Sequence, residues 1–529
     1  MSGGDTREGA APAPAGPAGQ PRAAKAPPDL LTACLAWVSA FGIAAAVVVF
    51  IVVSAAGPSA AVVTMPRPGS GPPWWSAAHP AAVQLTFLLW GAAAAGGAGV
   101  IAGLAAVARG ARPPVRAILV FSFLAAAVLT VLPPAGSTDT LDYAASGRIA
   151  ALGHSPYVET PLQLKDSGDP VGRWIPYMWE TDVSVYGPVA TAAEWTAAEL
   201  GGTSVARITF WLKLMDTLAF GAVALLLDRA LRSDPARRLR GHLLWTANPL
   251  VLWEIVASGH LDVLSAAFGL LGILLLRRAG PGERPGPRRF ALAGLAIGAA
   301  AAIKVPYALF GVGLVRAGRR PVSALAAGIA GFLVAFAPGY LIAGRPAVTA
   351  LLNRGPTATW DTMYQYFYHR LSYTAVGAVT LPHLAAIGAV TCAAVALLAV
   401  ARLPDRAPQF PALTPALAVS LAWLLFSPYQ CPWYDVMAIC LLAVYPASRL
   451  DWLVIARLTL TAPVYMPGIP TLVPAWLVPV INVEGTVVSA AARIVAALAF
   501  VWLCAFGFWG WRERGAGVAG ESGTARLAS

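Results

Sequence analysis

The sequence predicts an all-α, polytopic membrane protein with about 12–14 transmembrane helices. Three observations predict it. Of 529 residues, 58% are hydrophobic and only 12% are charged, where ordinary globular chains carry about 25% charge. The mean hydropathy is +0.66. The apolar residues fall in long runs separated by short polar stretches, as a chain threading a hydrocarbon core of about 30 Å requires. Length alone would suggest three or four soluble domains at ~150 residues each. The composition overrides that and excludes a soluble enzyme, a collagen-like chain and a disordered chain.

The apolar segments, in order, are 29–56, 81–108, 116–134, 203–228, 241–258, 261–277, 289–303, 305–316, 321–343, 373–400, 411–428, 432–447, 450–467 and 486–510. Segments 289–303 and 305–316 are short for a span of about 20 residues and read as a hairpin that does not fully cross. Residues 1–28 form a Pro/Ala/Gly-rich disordered tail with no cleavable signal peptide. Residues 29–510 form the transmembrane domain, and 511–529 a second tail.

The formal net charge is +12, which could suggest nucleic acid. The arginines instead cluster in short loops between apolar runs: Arg109, Arg112 and Arg116; five from Arg229 to Arg240; five from Arg277 to Arg289; then Arg316, Arg319, Arg320, Arg402, Arg406 and Arg449. The positive-inside rule puts these loops and both termini in the cytoplasm of a multi-pass plasma-membrane protein. The opposite, extracytoplasmic face then carries loop 135–202, with nine acidic and three basic residues. Within it, 185–200 reads as an amphipathic helix lying on the membrane surface. Five cysteines show neither a CxxC pair nor a ligand pattern with histidine.

Four constellations on the extracytoplasmic face could carry chemistry. Asp139 and Asp142 stand three residues apart, hence on one helical face. One could act as a general base on an acceptor hydroxyl while the other orients it or raises its pKa. Asp139 and Asp142 also fit the N-cap and N3 positions of a helix ending at Leu152, with Gly153 as its stop; capping and catalysis are compatible. His260 and Asp262 occupy a tight turn, where they could orient a sugar or polarise a phosphate, or simply solvate the turn. Lys304, a lone lysine between apolar half-helices, is either snorkelling or a cationic contact for a lipid phosphate. Arg345, Arg354 and Arg370 could share that task through guanidinium forks, in a loop that also holds Trp360, Tyr364, Tyr366, Phe367 and Tyr368. Two prolines break the chain at Ser427–Asp435, which puts Gln430, Trp433, Tyr434 and Asp435 at the extracytoplasmic face. Walker A, GxGxxG, HExxH, GxSxG and DxD motifs are absent from the sequence, so no metal or other cofactor is expected.

The run Asp139-Thr-Leu-Asp-Tyr143-Ala-Ala-Ser-Gly147-Arg148 followed by Gly153-His-Ser-Pro156-Tyr157 resembles the first-loop signature of actinobacterial polyprenyl-phosphate-mannose-dependent mannosyltransferases. Those are GT-C class membrane enzymes that build the mannan core of lipoglycans. Val185-Tyr186-Gly187-Pro188, then Asn248-Pro249-Leu250 with Glu254 and His260-Leu-Asp262, then Pro432-Trp433-Tyr434, are similar and in the same order. The resemblance covers roughly 115–450. It implies a GT-C-like fold, a polyprenyl-phosphate mannose donor, a lipid-linked glycan acceptor and inversion to an α-mannoside. By motif the base is Asp139. Leu141-Asp142-Tyr143 stands where a Tyr-Ser-Tyr-like run is expected, so Asp142 stays open as the base. Donor contacts would come from Lys304, His260, Asp262, Arg148, Arg354, Arg370, Tyr143 and Trp433.

A competing reading is a secondary transporter or lipid flippase, to which the intramembrane charges Lys213, Glu254, Lys304 and Arg493 would be suited. Against it, the sequence shows no convincing internal repeat, and its polar residues concentrate in one loop.

Overall fold

The computed structural model describes residues 29–278, 280, 283–317, 322–354, 364, 370–371, 374–376, 383–468 and 474–507. Both predicted tails, and the aromatic residues Trp360, Tyr366, Phe367 and Tyr368, lie outside these. The architecture is all-α, with no strand among the described residues beyond an isolated bridge between Val62 and Ala135.

Helices α1 (Leu30–Ala55) and α2 (Ala82–Ala108) pair along their length. Asp29 caps α1 by accepting from the Thr32 amide at 2.7 Å, and Arg109, at the end of α2, reaches Asp29 at 3.0 Å. After α3 (Val115–Thr130) come α4 (Asp139–Ala151), α5 (Pro161–Asp166) and α6 (Pro188–Gly201). These three helices occupy the predicted loop 135–202. Thr160 caps α5 with Gln163 in a reciprocal box, and Pro at the first helical position starts α5 and α6.

Next are α7 (Val205–Leu231), α8 (Pro235–Leu244) and α9 (Pro249–Val251), the last running into a π-helical turn, Leu252–Ala257. At this turn the chain bends by 116° into α10 (Asp262–Leu275). Gly259, with φ +75°, supplies the left-handed residue at the corner. Helix α11 (Pro287–Ile303) stops at Lys304, whose extended backbone leads into a 3₁₀ turn, Val305–Phe310, and α12 (Gly311–Ala317). Helix α13 (Val322–Arg354) packs closely on α11 through small residues, with Gly294 of α11 against the Gly328 backbone. It runs past its expected end at 343, across a break at Gly344 (φ 71°).

The remaining helices are α14 (Leu384–Arg402), α15 (Leu413–Phe426), α16 (Val436–Val444), α17 (Arg449–Thr461), α18 (Val478–Val483) and α19 (Ala490–Trp502). Among the described residues, five helices are long and apolar enough to cross a membrane, or six if the bent pair counts as one span. Other apolar helices are shorter, 10–17 residues each.

Several buried charges tie helices together. The Lys213 ammonium donates to the carbonyls of Leu129 and Leu132 at 2.6 and 2.7 Å, closing the end of α3. Arg240 grips Asp451 with two nitrogens and also donates to Tyr445 O. Arg493 donates to Gln430 at 2.7 Å, and Arg457 pairs with Asp435, both side chains fully buried. Gln430 and Asp435 are therefore turned into the helix core, because two buried guanidinium groups need acceptors there.

Candidate functional site

The site begins at the first turn of α4. Thr138 holds the N-cap position, so Asp139 is the first helical residue rather than the expected cap. Its amide donates to Ser137 Oγ at 3.1 Å, which supplies the capping acceptor and leaves the carboxylate to project from the helix. Asp142 lies in the same first turn, where the helix dipole favours negative charge. Gly153 ends the α4 segment with φ +83°, as expected.

Helix α4 is fastened to the sharp bend before α10. Thr140 Oγ1 donates to Ser258 O, and a Cβ at Gly259 would lie 2.9 Å from that hydroxyl. This close approach sets Asp139 against His260. The imidazole is buried and stacks flat on Trp433, with ring centroids 3.9 Å apart and planes 11° apart. Its Nδ1 bonds the Glu254 backbone carbonyl. A carbonyl can only accept, so Nδ1 carries the proton and Nε2 is the nitrogen left facing Asp139 Oδ2, at 3.6 Å.

The second half of the site forms where α11 ends. Lys304 Nζ donates to both carboxylate oxygens of Asp262, each at 2.8 Å. The ammonium sits 3.7 Å from the Tyr434 ring centroid and 5.4 Å from that of Tyr186, distances at which a cation gains from a ring face. Tyr186 is brought there by Gly187, whose amide donates to Ile303 O at 2.9 Å. A Cβ on Gly187 would lie 2.1 Å from the Ala302 carbonyl oxygen, so only glycine fits. Tyr186 and Tyr143 share a hydrogen bond of 2.8 Å. Burial, then the neighbouring charge of Asp139, raises the Tyr186 hydroxyl well above its ordinary range. Burial raises Tyr143 likewise, followed by Tyr186 and Asp139. Both hydroxyls therefore stay protonated; one donates to the other, which leaves one proton to donate elsewhere.

These pieces enclose a cavity of about 270 Å³. Asp139, Asp142, Tyr143 and Lys304 all line it. Trp179, Trp423, Trp433 and Tyr434 give it aromatic walls, and Asp182 adds a third carboxylate. His260 and Asp262 do not line it; they stand behind Asp139 and Lys304 and touch the cavity through them.

Other expected donor contacts lie elsewhere. Arg148 is not among the lining residues: its Nε pairs with Asp169 at 2.9 Å, because a buried carboxylate there needs a cation. Arg370 is exposed and does not line the cavity. The Arg354 side chain lies outside the described structure. Tyr186 and Tyr434 were legible only as parts of motifs, and Asp182 only as one of many acids. Among the described residues no group of three His, Cys, Asp or Glu side chains has the geometry to hold a metal ion.

A family model described as alpha-(1->6)-mannopyranosyltransferase, N-terminal domain, matches residues 39–318. That stretch contains Asp139, Asp142, His260, Asp262 and Lys304 but not the aromatic wall at Trp433. Alpha-(1->6)-mannopyranosyltransferase B of Corynebacterium glutamicum is 28% identical over 156 residues, which is 28% of this chain and 25% of that protein. The match thus spans about a quarter of the curated relative's length.

Proposed function

The chain belongs to the alpha-(1->6)-mannopyranosyltransferase family, and on that premise we propose that it transfers a mannosyl unit from a polyprenyl-phosphate sugar to a lipid-linked glycan acceptor. The reaction takes place at the extracytoplasmic face and inverts the anomeric carbon, so a β-linked mannosyl phosphate yields an α-mannoside, 1→6 linked as in the relatives' name. The observation that carries this reading is that Asp139 and Lys304 line one and the same cavity.

Asp139 takes the proton of the acceptor hydroxyl as its oxygen attacks the anomeric carbon. The bond from that carbon to the phosphate oxygen breaks, and the electron pair leaves with the phosphate. Lys304 meets the charge that develops there. An ammonium has three donors; two face Asp262, leaving one for a phosphate oxygen. The Tyr143–Tyr186 hydroxyl pair adds one neutral donor, its other proton being held in their mutual hydrogen bond, and the tryptophan and tyrosine walls offer faces on which a sugar ring can stack. His260 stands behind Asp139, its Nε2 3.6 Å from the carboxylate and without a hydrogen bond to it, and the Trp433 stack and the Glu254 carbonyl hold the ring in place. In this reading no metal takes part, since the leaving phosphate meets its cation in Lys304.

The test is transfer of radiolabelled mannose from synthetic polyprenyl-phosphate mannose to an octyl α-mannoside by purified protein. An α-(1→6)-linked product is expected. Absence of product, with donor and acceptor both bound, would overturn the assignment.

A further inference from the structure

Residues 177–183 form a short strap that begins with a 3₁₀ turn, Tyr177–Trp179. Trp179, Asp182 and Val183 of this strap line the cavity. Its backbone is tied down: the Leu162 amide donates to Glu180 O at 2.7 Å, and the Asp182 amide to Trp179 O at 3.2 Å. Lys165 of α5 pairs with the Glu180 side chain.

The Trp179 indole donates from Nε1 to Thr138 Oγ1 at 3.1 Å. Nε1–H is the only polar group of an indole, so this bond uses it, and the rest of the ring offers carbon alone. Thr138 precedes Asp139 in the chain, so the bond pins the ring beside the base. The other aromatic side chains of the cavity are already paired. Tyr143 packs on Tyr186, Trp423 and Tyr429 pack on Tyr434, and Trp433 on His260. Among the described residues Trp179 alone of this lining has no aromatic partner.

The position of this ring separates the two substrates. The leaving phosphate belongs with Lys304, whose ammonium lies 3.7 Å from the Tyr434 centroid. Beside Trp179 the lining carries the carboxylates Asp139, Asp142 and Asp182, which repel a phosphate. The acceptor hydroxyl must come within about 2.6–3.2 Å of its base, which brings the acceptor ring to the Thr138–Asp139 corner. A pyranose has faces of C–H groups and a rim of hydroxyls. An indole face matches the first, and a carboxylate, an acceptor at both oxygens, matches the second.

We propose that Trp179 and Asp182 are the specificity residues for the acceptor: the indole carries the reacting acceptor ring and Asp182 holds its rim hydroxyls, which turns the attacking oxygen to Asp139. The proposal rests on the transferase reading above and gives neither residue a part in donor binding.

The experiment uses full-length protein in detergent with octyl α-mannoside as the acceptor probe. Its Kd is measured by calorimetry without donor, and KM is measured for acceptor and donor separately. Trp179→Leu and Asp182→Asn should each raise Kd and KM for the mannoside about tenfold, the loss of an aromatic contact or of a charge-assisted hydrogen bond. KM for polyprenyl-phosphate mannose should stay within about twofold. Trp179→Phe keeps an aromatic face without the N–H and should retain most of the mannoside affinity. A loss in Trp179→Phe equal to that in Trp179→Leu would overturn the platform, since the indole would then act only through its bond to Thr138. Unchanged mannoside binding in Trp179→Leu or in Asp182→Asn would also overturn the proposal, as would a donor KM that rises as far as the acceptor KM, or a wild type that does not bind the mannoside. Asp182→Asn, which keeps side-chain size at a half-buried position, carries the test if Trp179→Leu does not fold. Because Kd is read without turnover, a wild type that binds the mannoside but transfers no sugar would count against the transferase reading alone.

Discussion

Replacing Lys304 separates a structural role from a catalytic one, and the Asp262 pair sets the size of each. The Asp262 side chain is 1% exposed and that of Lys304 11%. Lys304→Ala therefore strands a buried carboxylate, and breaking such a pair costs about 3–5 kcal/mol of stability. A loss of activity in that variant could then be a loss of folded protein. Lys304→Met/Asp262→Asn removes both charges together and should recover most of that stability, since a matched neutral pair leaves no orphan ion. The cation is still missing, so turnover should stay low by about 10²–10³-fold, the usual size of one removed electrostatic contact in a transition state. The donor KM should change far less, because charge on the leaving phosphate grows only as the bond breaks. Lys304→Arg should partly restore turnover. Thermal unfolding in detergent and kinetics with polyprenyl-phosphate mannose varied would decide. A double variant that is stable and turns over at nearly the wild-type rate would refute a catalytic role for Lys304.

Three further outcomes follow from single contacts. Gly187→Ala puts a methyl 2.1 Å from the Ala302 oxygen and must push the start of α6 away by about 1 Å; a shift of that size can cost about 10²-fold in rate, with a modest fall in melting temperature, and unchanged kinetics would contradict the geometry. Arg457→Met strands the buried Asp435 and should destabilise by about 3–5 kcal/mol, whereas Arg457→Met/Asp435→Leu should recover most of it in the same melting assay. Cysteine at Ser167, an exposed position in the segment after α5, should react with a membrane-impermeant thiol reagent in intact spheroplasts; labelling only after lysis would reverse the proposed orientation.

Periodicity and end signals made much of the fold readable. Segments expected at 29–56 and 81–108 are helices Leu30–Ala55 and Ala82–Ala108. The helix expected within 185–200 is Pro188–Gly201. Those features are local: apolar runs, a proline start, a glycine stop. The site was readable only as separate motifs. That Asp139 would meet His260, or Lys304 would meet Asp262, depends on how the bend at Gly259 and the end of α11 come together, and no spacing encodes that. The same limit applies to Arg148, whose partner Asp169 is 21 residues away. Asp139 was misplaced by one position because Ser137 and Thr138 can also serve the helix start, and the sequence does not rank the three.

The most direct test of the central proposal compares Asp139→Asn with Asp142→Asn in the mannosyl-transfer assay. Both carboxylates line the cavity, and both changes keep side-chain size and leave the rest of α4 intact. Only Asp139 lies against His260. Asp139→Asn should lose about 10²–10⁴-fold in turnover, the span of general-base catalysis, with donor binding and melting temperature near wild type, while Asp142→Asn keeps most of its rate. Near wild-type turnover in Asp139→Asn, with Asp142→Asn inactive, would contradict the assignment of Asp139 as the base.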